Sequence, residues 1–180
     1  MASYYYLVAS LPTLFLDVEK PPITTVEFLA ACDRLLDADD ARDIHSLMDN
    51  HPEWAQAACI QQWQARETEI RNTIVRLRAA KAHVDAALFL RPCRELDLYT
   101  ENAVAEAMSK PQPLERELGL DRLRWSLLND LARLDPFGLS AVVAYALKLK
   151  LVERWSALTV EKGRVVIEEY LTKQLTKVAV

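Results

Sequence analysis

"HPEWAQAACIQQWQARETEIRNTIVRLRAAKAHVDAALFL", residues 51–90, contains one proline, near its start, and no glycine. Pro52 suits a first helical turn, and Glu53 is favourable near the positive end of a helix. The stretch therefore predicts one helix from about Glu53 to Leu88, roughly 35 residues and on the order of 50 Å at 1.5 Å per residue. Trp63, Ile70, Leu77 and Val84 recur every seven residues, with Ile60, Ile74 and Leu88 beside them. Glu67 and Lys81 interrupt that second row. The seam is thus expected to pack against helices of the same chain, not to form a sustained two-chain coiled coil.

The rest of the chain reads the same way. "EKPPITTVEFLAACDRLL" (19–36) stops one element at Pro21–Pro22 and starts another, with Thr24 and Glu27 in a capping-box pattern. Helices are expected at 25–37, 40–48, 97–108, 114–134, 139–157 and 164–177. "LKLKLV" (147–152) alternates like a strand, but its flanks keep the helical period, so helix is expected there too. The expected core comprises Trp63, Ile70, Leu77, Leu127, Leu131, Leu147, Leu151 and Trp155. Only three glycines occur in 180 residues, and sheets, tight turns and phosphate loops all draw on glycine. The expected fold is all-α, one bundle-like domain over 1–180 built on the long helix. Its lobes would be 1–92 and 93–180, with a joint at "SKPQP" (109–113).

The opening "SYYYLVASLP" (3–12) is too short and too interrupted for a spanning helix, and no basic residue precedes it as in a secretion signal. It is expected to be core, or else to face a partner with its phenols at the rim. The net charge of −4 gives no global pull towards nucleic acid or anionic membrane. Cys32, Cys59 and Cys93 are odd in number and widely spaced, which fits a reducing cytosol and small buried packing roles.

Catalytic patterns are missing. Gly119, Gly138 and Gly163 lie too far apart to build a phosphate-binding loop, and no GxSxG surrounds a serine. Asp43, His45, Asp49 and His51 are metal-ligand types close together, but they lack regular ligand spacing and read as helix-end caps. No catalytic residue, cofactor or metal is expected. Arg66, Arg71, Arg76, Arg78 and Lys81 make the long helix locally basic. Glu67 four residues before Arg71 suggests a solvated face or a contact with an acidic protein, rather than RNA or DNA.

The segments "YYYLVASLP", "PPITTVEFLAACDRLL", "EIRNTIVRLRAAKA", "PLERELGLDRLRWSLLNDL", "LSAVVAYALKLKLVERW" and "EKGRVVIEEY" run along nearly the whole chain. In combination they resemble an uncharacterised bacterial family encoded in operons for the rotary V-type (A-type) ATPase. More weakly, "YALKLKLVERWSAL" (145–158) is similar to the apolar helix and "KE.EI..L" motif of that ATPase's C-type stalk component, a helical funnel whose eukaryotic counterpart carries the letter d. Leu151, Val152 and Glu153 match the motif loosely, and the chain is shorter than a three-lobed funnel.

The resemblance implies a non-catalytic subunit that couples the central stalk to the membrane proteolipid ring in proton or sodium transport. It would be cytoplasmic, peripheral to the inner membrane, with ATPase rotor or stalk subunits as partners. An accessory or assembly factor of the same machine and an unrelated helical adaptor remain alternatives. Two surfaces are candidates for the contact: Tyr4, Tyr5, Tyr6 and Phe15 near one end, and Arg71, Arg76 and Arg78 on the long helix.

Overall fold

The computed structural model describes residues 3–18, 20–93 and 97–158 and, beyond these, residues 161, 163, 164, 167, 168 and 170. The described residues are all-α, with no strand among them. The bounded helices are α1 (Tyr5–Ser10), α2 (Thr25–Leu35), α3 (Ala38–Met48), α4 (Ala58–Ala82), α5 (Leu98–Ser109), α6 (Pro113–Leu134) and α7 (Leu139–Ser156). The helix expected at 164–177 lies largely outside the described residues.

Local chemistry explains the start of α2 as its sequence predicts. The Glu27 backbone N–H donates to the Thr24 hydroxyl, and the Thr24 N–H donates to the Glu27 carboxylate at 2.9 Å. Both halves of the capping box are therefore made.

The long helix is shorter than expected, and the correction has two physical causes. At its beginning the Asp43 carboxylate of α3 accepts the backbone N–H groups of Gln56 and Ala57, at 2.9 and 2.7 Å. These bonds hold the chain extended at Ala57, so Pro52–Trp54 forms a separate 3₁₀ turn and α4 begins at Ala58. At its end His83 takes a left-handed conformation, φ 55°. The Val84 N–H then reaches back to the Ala79 carbonyl at 3.1 Å and closes the helix. Histidine is among the side chains that tolerate this region. The 25 residues of α4 thus span about 37 Å, and Val84 and Leu88, expected on its seam, are exposed.

Two apolar clusters carry the packing. The larger joins Leu7 of α1, Phe28 and Cys32 of α2, Ile44 and Leu47 of α3, Ile60 and Trp63 of α4, Leu128 and Leu131 of α6, and much of α7. The smaller joins Ile70 of α4, Val104 and Ala107 of α5, and Leu120 and Leu123 of α6. Leu127 packs against both. Both clusters draw on residues from either side of position 92. The segment 109–113 is tied down by Arg116, whose side chain donates to the carbonyls of Lys110 and Pro111.

Trp63, Ile70 and Leu131 are buried as expected, whereas Leu77, Leu127, Leu147, Leu151 and Trp155 are only half-buried. In α7 the fully buried residues are Val142, Val143, Ala144, Ala146, Leu149 and Val152, most of them off the face of Leu147, Leu151 and Trp155. The helix is apolar almost all round, so two faces fit the helical period and only the neighbours choose between them. Of the remaining expectations, Cys93 is exposed instead of packed.

Gly119 lets α5 and α6 approach. A Cβ built there would stand 2.9 Å from the Ala107 Cβ, closer than carbon atoms pack. Gly119→Ala gains roughly 1 kcal/mol of helix propensity, but forcing the helices apart costs about 1–3 kcal/mol. The expected outcome is a net loss of stability in chemical denaturation, recovered in large part by adding Ala107→Gly. A more stable Gly119→Ala single variant would contradict the close approach.

Candidate functional site

The seven candidate contact residues separate into five settings. Tyr4 is core, 5% exposed. Its hydroxyl donates to the carboxylates of Asp40 and Asp37, and its backbone N–H donates to the Phe137 carbonyl at 2.6 Å. Burial first, and then the hydrogen bond to Asp40, push its pKa well above the ordinary tyrosine value. That ring has little surface to offer a partner.

Tyr5 and Tyr6 stand at the surface, 54% and 81% exposed, their rings edge to face at 5.9 Å. Phe137, from the turn between α6 and α7, completes the group with its ring 5.1 Å from that of Tyr5. Nothing near Phe137 in the sequence ties it to the N-terminal tyrosines. The Tyr4–Phe137 backbone bond brings the two ends together. Phe15 is exposed on the loop after α1, outside this ring group.

The arginines divide by helical geometry. Arg71 and Arg78 are seven residues apart, two turns on one face, whereas Arg76 points elsewhere. The Arg76 Nη1 is buried against α5, 4.0 Å from the Glu101 carboxylate, with no hydrogen bond among the described residues. Arg71 and Arg78 are exposed and line an open groove of about 790 Å³ between α4, α6 and α7. Its floor is apolar, with Trp63, Ile74, Leu120 and Leu147.

Arg91 joins them there. The buried Asn72 carboxamide clamps its backbone, donating to the Arg91 carbonyl at 2.8 Å and accepting its N–H at 3.0 Å. Sequence reading passed over Asn72, because a polar residue on an amphipathic helix gives no sign of a clamp 19 residues away.

The groove is walled by a polar junction. Asp121 of α6 is fully buried and accepts from Arg124 Nη1 at 2.8 Å, from Trp155 Nε1 at 2.7 Å, and from Arg154. Arg124 also donates to the Glu67 carboxylate through Nε and Nη2, at 2.9 and 2.7 Å. Burial works against the Arg124 charge, but Glu67 and Asp121 outweigh it and push its pKa up.

The histidines serve other ends. His45 pairs with Asp33 at 2.7 Å, while His51 pairs with Glu53 and stacks on Trp54. Among the described residues no group of three or more His, Cys, Asp or Glu side chains is arranged to hold a metal. Nor is any described helix long and apolar enough to cross a membrane.

Among the described residues the protein is all-helical, with an exposed aromatic group at one edge and an open groove lined by arginines. A family model described as "Protein of unknown function (DUF2764)" matches residues 50–175, so the chain belongs to that family. No curated protein and no solved structure matches it.

Burial gives the fold a marked alkaline limit. It pushes the Cys32 thiol from 9.0 up to about 12, and the Tyr145 phenol from 10.0 up to about 12. Above pH 9 the unfolded chain releases protons that the folded chain retains, so stability falls as pH rises from about 9 to about 12. Thermal melts at about pH 7, 9, 10 and 11 should show Tm dropping steadily above pH 9, with a shallower slope in Cys32→Ala. A Tm that stays flat across that range would contradict the buried placement of these groups.

Proposed function

We propose that this chain is a non-catalytic subunit of a bacterial V/A-type rotary ATPase, working as the funnel component does between the central stalk and the proteolipid ring. The observation that carries the reading is the run of segments, from "YYYLVASLP" to "EKGRVVIEEY", that resembles a family encoded in operons for that ATPase.

Two features of the molecule support it. A part that transmits torque needs stiff elements, and the Asp121 junction ties α6 to α7 while Arg124 ties α6 to α4. Such a part also needs specific contact surface, and the cores of interfaces are enriched in aromatic residues and arginine. Tyr5, Tyr6 and Phe137 supply the first, and Arg71 and Arg78 the second. In this reading the aromatic edge and the basic groove meet different rotor components, and the helices between them carry the load.

The test is recovery of the tagged protein from native membranes of the bacterium that encodes it, with subunit identification and ATPase assay. Stoichiometric recovery of stalk or proteolipid-ring subunits is expected. The double variant Tyr6→Ala/Phe137→Ala should reduce that recovery about thirtyfold or more, since aromatic anchors at an interface are worth about 1–2 kcal/mol or more each. Recovery only with incomplete complexes would make the chain an assembly factor instead. Recovery of no ATPase subunit from intact complexes would overturn the proposal.

A further inference from the structure

The groove between α4, α6 and α7 has an unusual charge balance. Three of its lining side chains are acidic, and each is already engaged: Glu67 pairs with Arg124 at 2.7 Å, Glu117 pairs with Arg154 at 3.6 Å, and Glu53 bonds the His51 ring at 3.1 Å. Lys150 is also engaged, its ammonium donating to the carbonyls of Leu47 and Met48 and to the Asn50 side chain. Arg71, Arg78 and Arg91 are left, with no ion pair among the described residues. A chain whose overall charge is −4 thus presents three uncompensated guanidinium groups over an apolar floor.

We infer that this groove docks an acidic amphipathic helix of a partner protein, its carboxylates on Arg71, Arg78 and Arg91 and its apolar face on the half-buried Ile74 and Leu147. The spacing favours a helix as occupant. Arg71 and Arg78 are separated by seven residues of α4, about 10.5 Å of rise, which equals the separation of carboxylates seven apart on a parallel or antiparallel helix. Guanidinium groups pair carboxylates in a two-pronged geometry that lysine does not reproduce. The Asn72 clamp fixes where the Arg91 backbone lies, so the third cation is held ready before binding.

This deepens the proposed function. It rests on the claim that the chain works through protein contacts, and not on which machine supplies them.

The experiment uses the full chain and a fluorescent helical peptide of about 18 residues, with glutamate at positions i and i+7 flanked by leucines. Its control is the same peptide with glutamine at those positions. Saturable binding to the glutamate peptide is expected, weakened about tenfold or more by Arg78→Ala or Arg71→Ala, because a charge-assisted hydrogen bond is worth about 1.5–3 kcal/mol. Binding should also weaken as salt is raised. Both arginines are exposed, and circular dichroism of each variant confirms that the fold is kept. Anionic phospholipid vesicles and poly-U RNA are titrated in parallel.

Equal binding of the glutamine peptide, no saturable binding of the glutamate peptide, or tighter binding to vesicles or RNA would each overturn the inference. Peptide binding without ATPase recovery would leave the groove standing and remove the ATPase reading. ATPase recovery without peptide binding would do the reverse.

Discussion

Asp121 is the residue on which the arrangement of the helices depends. It lies on α6 between Leu120 and Leu123, both of the smaller apolar cluster, and is fully buried. Three donors converge on its carboxylate, and one of them, Arg124, reaches on to Glu67. A charge in that position is costly to desolvate, and well-packed leucines could often match its net contribution. Apolar residues would, however, let α4, α6 and α7 slide relative to one another. Directional bonds from Asp121 and Arg124 admit one register, and that register sets the width of the groove and the height at which Arg71 and Arg78 stand above its floor.

The helix ends are fixed in a related way. Several helix ends are capped from neighbouring helices. Asp43 of α3 receives the N–H groups that precede α4. Glu69 of α4 receives the Asp97 N–H at the start of α5, and Glu153 of α7 receives the Thr25 N–H and hydroxyl at the start of α2. At the opposite polarity, Lys150 of α7 covers the final carbonyls of α3. Carboxylates at N-termini and ammonium groups at C-termini follow the helix dipole. Because these caps come from other elements, such helix ends are incomplete until the neighbour is in place, which makes folding cooperative and the assembled molecule stiff.

The origin of the caps explains what was legible in the sequence. The capping box at Thr24–Glu27 is local, and so α2 could be placed from its own residues. The leucines of α6 repeat on one face, and of the two expected in the core Leu131 is buried while Leu127 is half-buried. The limits of α4 could not be read, since one is imposed by Asp43, 13 and 14 residues upstream, and the other by a histidine in a conformation usually left to glycine. In the candidate surfaces, seven-residue spacing does place Arg71 with Arg78, and it also excludes Arg76, a consequence that grouping the three by proximity overlooked. Phe137 and Arg91 came from elsewhere in the chain, through a backbone bond to Tyr4 and a clamp from Asn72. Neither leaves a periodic trace.

A single buried carboxylate thus holds three helices in register. Denaturant unfolding of Asp121→Asn tests that role most directly, because the substitution keeps the shape, removes the charge and turns one of the two accepting oxygens into an NH2 donor facing Arg124, or Arg154 and Trp155. The prediction is a loss of about 3 kcal/mol or more, as expected when one partner of a buried ionic network is neutralised. A variant within about 0.5 kcal/mol of the parent, the range of an ordinary surface substitution, would contradict it.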